Sequence, residues 1–210
     1  MLVRHHNELM TTEVSTGRAN QKLRTRSAIV AATRGLIRAG SEITMPAVAQ
    51  AAMVSEATAY RYFPDLVSLL REAIAHDWPT PAEALAPVAA SADPIERIGY
   101  ATEYLLREVI AAERAVRAMI SASVVRPDAA GVRPTRRFGL IRAALAPLEA
   151  TLAVTDPDAF EQLKLDLAVV VSAEALFTLT DLCGLTPEAA IRSAVHTARA
   201  VTAAALASHS

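Results

Sequence analysis

Between Thr44 and Phe63 the chain reads TMPAVAQAAMVSEATAYRYF, and no other stretch constrains the fold as tightly. Thr44 is placed to cap a helix with its hydroxyl, and Pro46 fits the first turn, where a missing N–H is no loss. Ala47 to Ala52 is a short helical run. Ser55 offers a second N-cap, for a helix from Glu56 to Phe63. Ala49, Val54, Ala59 and Phe63 fall on the inward side, and the small Ala49 lets the two helices cross closely. Two short helices joined by a tight turn are the pattern of a helix-turn-helix.

At 210 residues the chain is long enough for a full core, as one unit or as a small domain plus a larger one. Abundant Ala and only seven Gly favour helix throughout. The single cysteine, Cys183, excludes an internal disulfide and a cysteine-rich zinc site. No apolar run approaches the roughly 18 residues of a membrane span. The start, MLVRHHNELM, lacks the apolar core of a signal peptide, so a cytoplasmic protein is expected. The net charge of −1 is unevenly spread. Residues 1–63 hold eight Arg and Lys against four Glu, a net +4, and the remainder holds 13 against 18, a net −5. A basic head on an acidic body suits a protein that meets phosphate at one end.

Taken in order, residues 1–21 are polar and without periodicity, and are expected to form a flexible arm. Helix one is expected from Leu23 to Ala39, with Ile29, Ala32, Leu36 and Ile37 on one stripe and Gly40 as its stop. After the helix-turn-helix, Asp65 caps a helix reaching Asp77, whose stripe is Leu66, Leu69, Leu70, Ala73 and Ile74. A Pro- and Ala-rich stretch from Trp78 to Ser91 follows. There Thr80 and Glu83 pair as a capping box and Pro87 interrupts. Asp93-Pro94-Ile95-Glu96 is a strong helix start. That helix is expected to run to about Ile110, and another from Glu113 to Val124. Arg126 to Pro134 reads as a loop, and Thr135 to about Leu152 as a helix bent at Pro147. Asp156-Pro157 opens a long helix from Asp158 to Leu182, stopped by Gly184. Thr186-Pro187-Glu188 opens the last, to about Leu206, and the two are expected to form an antiparallel hairpin.

Val54-Ser55, Thr58, Tyr60-Arg61 and Phe63, followed by Leu69-Leu70, resemble the DNA-binding signature of TetR-type bacterial transcriptional regulators. The resemblance covers about fifty residues, from the helix before the motif to the helix after it. It implies an all-α protein of about nine helices. Residues 22–77 would form a three-helix DNA-binding domain with its linker helix, and residues 78–210 a helical effector-binding and dimerisation domain. It further implies a dimer on a palindromic double-stranded operator, released by a small effector, and most simply a repressor. On this pattern Tyr60 reaches a phosphate. Thr44, Ser55 and Thr25 offer hydroxyls and helix-start N–H groups to phosphates. Glu56 and Thr58 face base edges, Arg61 adds charge, and Tyr62 stacks on sugar or phosphate. Four positions depart from the pattern. Met53 stands where the turn usually has Gly, Leu66 where a Lys is common, and Tyr62 where a His is common. Glu56 is an acid facing DNA. The first would cost on the order of 1 kcal/mol if Met53 takes positive φ.

For the effector, the aromatic candidates are Trp78, Tyr100, Tyr104, Phe138 and Phe177, with Met119. The polar anchors are Glu103, Arg107 and Glu174. With nine aromatics in the whole chain, most of these also serve as core. The mostly apolar helices point to an apolar or amphipathic ligand. For dimerisation, Val169, Ser172, Ala173, Leu176 and Leu179 make one small-residue stripe, and Ala190, Ala194, Thr197 and Val201 the other. Packing inside one copy would account for the same stripes.

No phosphate-cradling glycine loop, nucleophile elbow or partnered carboxylate pair is present, so no enzyme is expected. The five His are dispersed, without i, i+4 pairing or a nearby Cys, and neither metal nor cofactor is expected. The rival reading is a helical adaptor that binds protein through a degenerate helix-turn-helix.

Overall fold

The computed structural model describes the backbone at residues 4–125 and 136–208, and within it the side chains other than those of 4–18, 75–77, 122–123 and 125. The expected loop at Arg126–Pro134 and the start at Thr135 lie outside the described residues. The described residues form twelve α-helices, where about nine are expected, with short 3-10 and π segments and no strand; the excess comes from expected long helices that break into pieces. None of these helices is long and apolar enough to cross a membrane. Contacts divide the chain into two compact units, Met1–His76 with Arg117–Val132 and Asp77–Val116 with Arg133–Ser210. Residues 117–125, expected in the larger domain, therefore group with the first unit.

The first unit contains α1 (Arg4–Arg38), α2 (Met45–Ala51), α3 (Glu56–Tyr62) and α4 (Leu66–Asp77). Helix α1 begins at Arg4, well before the expected Leu23. Residues 4–21 contain no Pro and carry Glu, Leu, Met, Ala and Gln, which favour helix locally without needing an apolar stripe. Farther along, Ile29 and Val30 are buried together with Thr33, whose hydroxyl donates to the Ile29 carbonyl at 2.9 Å. Of the expected stripe only Ile29 is fully buried, and Ala32, Leu36 and Ile37 are half-buried. Gly40, at φ 61°, closes α1 with the bonds Gly40 N–H to Ile37 O and Ser41 N–H to Leu36 O. Those two bonds are a Schellman close. Asp65 caps α4 by accepting from the Ser68 N–H at 2.7 Å, and Leu69, Leu70 and Ala73 turn its apolar face to the core.

The second unit opens with α5 (Pro81–Ala84) and a 3-10 turn at Ala86–Val88. The capping box forms as the sequence predicts. Glu83 accepts from the Thr80 backbone N–H and hydroxyl, which holds its carboxyl below the usual range. Helix α6 (Pro94–Ala111) starts at its Asp93 cap, and α7 (Glu113–Val125) follows, its first turn in this unit and the rest in the first. The helix expected to bend at Pro147 is instead three pieces: α8 (Arg136–Ala144), a 3-10 turn (Ala146–Leu148) and α9 (Leu152–Thr155). Pro147 removes a helical N–H donor there, and the chain tightens to a 3-10 turn rather than bending.

The long helix expected from Asp158 to Leu182 is also broken. Helix α10 (Pro157–Val170) ends in an inverse γ-turn centred on Val171, at φ −81° and ψ 66°, with Ser172 N–H bonded to Val170 O. Ser172 then serves both sides of the break. Its hydroxyl donates to Val169 O at 2.8 Å and accepts from Ala175 N–H at 3.0 Å, capping α11 (Ala173–Phe177). The run Val169-Val170-Val171 before a serine explains the site, because β-branched residues crowd a helix and serine favours a cap. A π segment (Thr178–Leu182) follows, and Gly184 turns the chain at φ 66°.

Helix α12 (Pro187–Ala207) packs chiefly on α6 and secondarily on α10, so the expected hairpin is not the main pairing. Ala190, Ala194, Ala198 and Thr202, spaced every four residues, are buried. Arg199 lies so close over Gly99 of α6 that a Cβ there would sit 2.3 Å from its Nε. Small side chains on one helix and a glycine on the other let their axes approach.

Arg97, on the first turns of α6, is only 9% exposed. Its Nε donates to Ala144 O, Nη2 to Ala143 O, and Nη1 to Val88, Ala89 and Ser91 O, at 2.7–3.3 Å. These carbonyls end α8 and the first 3-10 turn, where helix dipoles favour a cation. Arg97→Met is expected to cost about 3 kcal/mol, read as a lower urea midpoint, because several buried carbonyls lose their donor. Arg97→Lys should recover little of this, since a compact ammonium cannot span carbonyls on both sides of a planar fork.

Candidate functional site

Helix α3 has a buried side and an open side. Ala59 and the following Phe63 are essentially inaccessible, and Val54 before the helix is half-buried. Of the residues singled out from the sequence, Ser55, Glu56 and Arg61 are exposed, Tyr60 is 48% exposed, and Thr44, Thr58 and Tyr62 are half-buried.

Local chemistry fixes that surface. Ser55 accepts from the Thr58 N–H at 3.2 Å and donates its own hydrogen to Thr58 Oγ1 at 2.9 Å. Thr58 is thereby left with its hydroxyl hydrogen to offer outward. Thr44 accepts from the Ala47 N–H at 3.3 Å and caps α2. The Arg61 guanidinium sits 5.6 Å from the Tyr62 ring centroid, close enough to hold that ring by a cation–π contact. Thr25 does not act as expected. Because α1 begins at Arg4, Thr25 is in mid-helix rather than in a first turn, and its hydroxyl donates to Gln21 O at 3.0 Å. Its backbone N–H therefore belongs to the helix and is not a phosphate donor.

Sequence reasoning missed Arg26, which orients the whole surface. Its Nε and Nη2 donate to the two carboxylate oxygens of Glu72 on α4, and its Nη1 donates to Tyr62 O at 3.2 Å. Its guanidinium carbon lies 4.4 Å from the Phe63 ring centroid. One side chain on α1 therefore grips the end of α3 and the middle of α4. The partners lie 36 and 46 residues away, so no local spacing announces them.

The turn between α2 and α3 repeats the close of α1. Met53 N–H bonds to Gln50 O and Val54 N–H to Ala49 O, and Met53 stands at φ 54°. This is the Schellman arrangement that Gly40 occupies elsewhere, here with a methionine.

In the second unit the expected pocket residues separate into different roles. Glu103 and Arg107 pair with each other on the surface of α6, so they are not anchors of a cavity. Phe138 is exposed, Tyr100 and Phe177 are half-buried, and Glu174 pairs with Arg137 at 3.1 Å. Met119 is buried and belongs to the first unit. Trp78 and Tyr104 do meet, at Arg136. The guanidinium lies 4.6 Å over the Trp78 ring, and the Tyr104 side chain is close enough to act on it electrostatically. Burial there raises the Tyr104 phenol and lowers the Arg136 guanidinium from their ordinary values. A shallow cleft of about 350 Å³ lies elsewhere in the unit, lined by Arg142, Glu149, Phe160, Glu161 and Lys164 among others. Its charges already pair, Arg142 with Glu149 and Lys164 with Glu161.

The stripes expected at a dimer interface lie partly inside the protomer. Ser172, Leu176, Ala190 and Ala194 are buried. These four are core, because the break at Val171 turns α11 inward and α12 covers α6. Val169 remains 72% exposed and Thr197 is exposed, while Ala173, Leu179 and Val201 are half-buried.

The chain matches no family model and no curated protein.

Met53 is 92% exposed, so its side chain contributes almost no packing to offset the strained backbone. Met53→Gly is therefore expected to stabilise the protein by roughly 0.5–1 kcal/mol, after subtracting the extra freedom glycine gains when unfolded. Thermal and urea unfolding both measure it. A lower melting temperature would show that the turn is not strained.

Proposed function

We propose that the protein is a DNA-binding transcriptional regulator of the TetR type, most simply a repressor, acting as a dimer on a palindromic operator. The observation that carries this reading is the two-sided construction of α3. Its inner side is sealed by Ala59 and Phe63, and its outer side offers Ser55, Glu56, Tyr60 and Arg61. Such a helix fits a major groove, with Tyr60, Thr44 and Ser55 on phosphates and Thr58 and Glu56 at base edges. A glutamate facing bases accepts from a cytosine amine, which gives it a favourable partner among the phosphates it otherwise repels. The net +4 of residues 1–63 favours the same end of the molecule.

The two copies meet through what the stretch from α10 to the π segment, together with α12, leaves outward: Val169 and Thr197 with the half-buried Ala173, Leu179 and Val201. A small effector binds in the second unit and favours a spacing of the two α3 helices that no longer fits successive grooves. It acts only if its affinity differs between the two spacings. The rival, an adaptor that binds protein, draws on Glu56 and on Leu66 at the start of α4.

Retention of the full chain on nonspecific duplex DNA separates the two. A regulator using about six phosphates should lose on the order of 10³-fold in affinity between about 50 and about 200 mM salt. An adaptor should be barely retained at either. Within the regulator reading, Tyr60→Phe is expected to weaken binding to all duplexes by a similar factor, because a phosphate contact carries no sequence information. A loss confined to one base position, measured by selection from random duplexes, would contradict that role.

A further inference from the structure

The first turn of α8 brings Arg136 into a setting unlike that of the chain's surface arginines. One face of its guanidinium is covered by Trp78, and the Tyr104 side chain lies nearby. Its Nε and Nη2 are both out of solvent and have no acceptor among the described residues. Those two nitrogens form one edge of the guanidinium, with two N–H bonds pointing the same way. That edge matches the two oxygens of a carboxylate. The chain uses it for that purpose once already, where Arg26 gives Nε and Nη2 to the two oxygens of Glu72. Leaving such donors buried without an acceptor is costly, and burial already lowers the Arg136 pKa.

The chemistry of the occupant follows. An alcohol or amide offers a single oxygen to two parallel donors and no charge. A carboxylate offers two oxygens and one negative charge. Inorganic phosphate also presents two oxygens to such an edge, but it has no apolar part to lie beside Trp78. We infer that Arg136 anchors a binding site for a small organic monocarboxylate, with the headgroup on its Nε–Nη2 edge and the apolar part of the ligand beside Trp78. This rests on the reading of the second unit as the effector body and names the class of effector it takes.

Trp78 is the single tryptophan of the chain, so its fluorescence reports this site alone. Benzoate and decanoate are titrated into the full-length protein, with benzamide, decanol and inorganic phosphate as controls. A saturable change with the carboxylates, at least about tenfold weaker with benzamide and decanol, is expected, since a charged hydrogen-bonded pair is replaced by a neutral one. Arg136→Lys should weaken carboxylate binding about tenfold or more, because the charge remains but the fork is lost. Arg136→Gln should abolish it. Should these variants fail to fold by circular dichroism, the carboxylate-against-amide comparison on the natural sequence still decides. Equal responses to decanoate and decanol, tighter binding of phosphate, or no response to either carboxylate would overturn the site. Carboxylate binding that depends on Arg136 yet leaves DNA retention unchanged upholds the site and overturns its role as effector. Failure of DNA retention with the titration intact overturns the regulator and leaves the site standing.

Discussion

The Arg26 guanidinium is the joint on which the geometry of the first unit depends. It holds the Glu72 carboxylate through two parallel bonds, the Tyr62 carbonyl through a third, and the Phe63 ring under its face. A simple surface ion pair contributes little, because solvent screens it and two long side chains must be ordered. The bidentate geometry and the aromatic face distinguish this one. Its value lies less in energy than in direction. Helix α3 is seven residues long, far too short to hold its own position. Ala59 and Phe63 anchor it by burial, and Arg26 fixes the end that carries Tyr60 to Tyr62.

Arg97 does the corresponding work in the second unit with different chemistry. No carboxylate is needed, because the C-terminal carbonyls of α8 and of the Ala86–Val88 turn supply the negative pole. Composition explains why arginine serves both times. Aromatic residues are 4% of the chain and alanine fills many helical faces. With few large apolar side chains available, a planar cation with five donors is the side chain best able to join segments that are distant in sequence.

What could be read from the sequence was what depends on neighbours within a few residues. The caps at Thr44, Ser55, Thr80, Asp93, Asp156 and Thr186 form where expected, since a cap needs only its own hydroxyl or carboxylate and the next turn. Met53 at positive φ was legible by another route, because the pattern the motif resembles has Gly at that place in the turn. What escaped depends on distance or on competition. Thr25 seemed to open a helix because the apolar pattern begins near it, but helix can continue upstream by propensity alone. Val169 and Ser172 read as members of one apolar stripe, although the branched run Val169-Val170-Val171 before a capping serine is where α10 ends. In the pairing of α12 with α6, Arg199 lies over Gly99, more than eighty positions upstream of α12 by the numbering of the two helices, which no local period encodes.

The same distinction bears on where the second unit can yield. Helix α11 has five residues, with a γ-turn on one side and a π segment on the other. Neither flank transmits the rigidity of a continuous helix. Its position is therefore set by burial of Leu176, by the Ser172 cap and by the Glu174–Arg137 pair. Arg137 is the neighbour of Arg136 on the first turn of α8, so one turn carries both the guanidinium stacked on Trp78 and the tie to α11. A rotation of that turn that improves one contact alters the other, because adjacent residues on a helix point in directions about 100° apart.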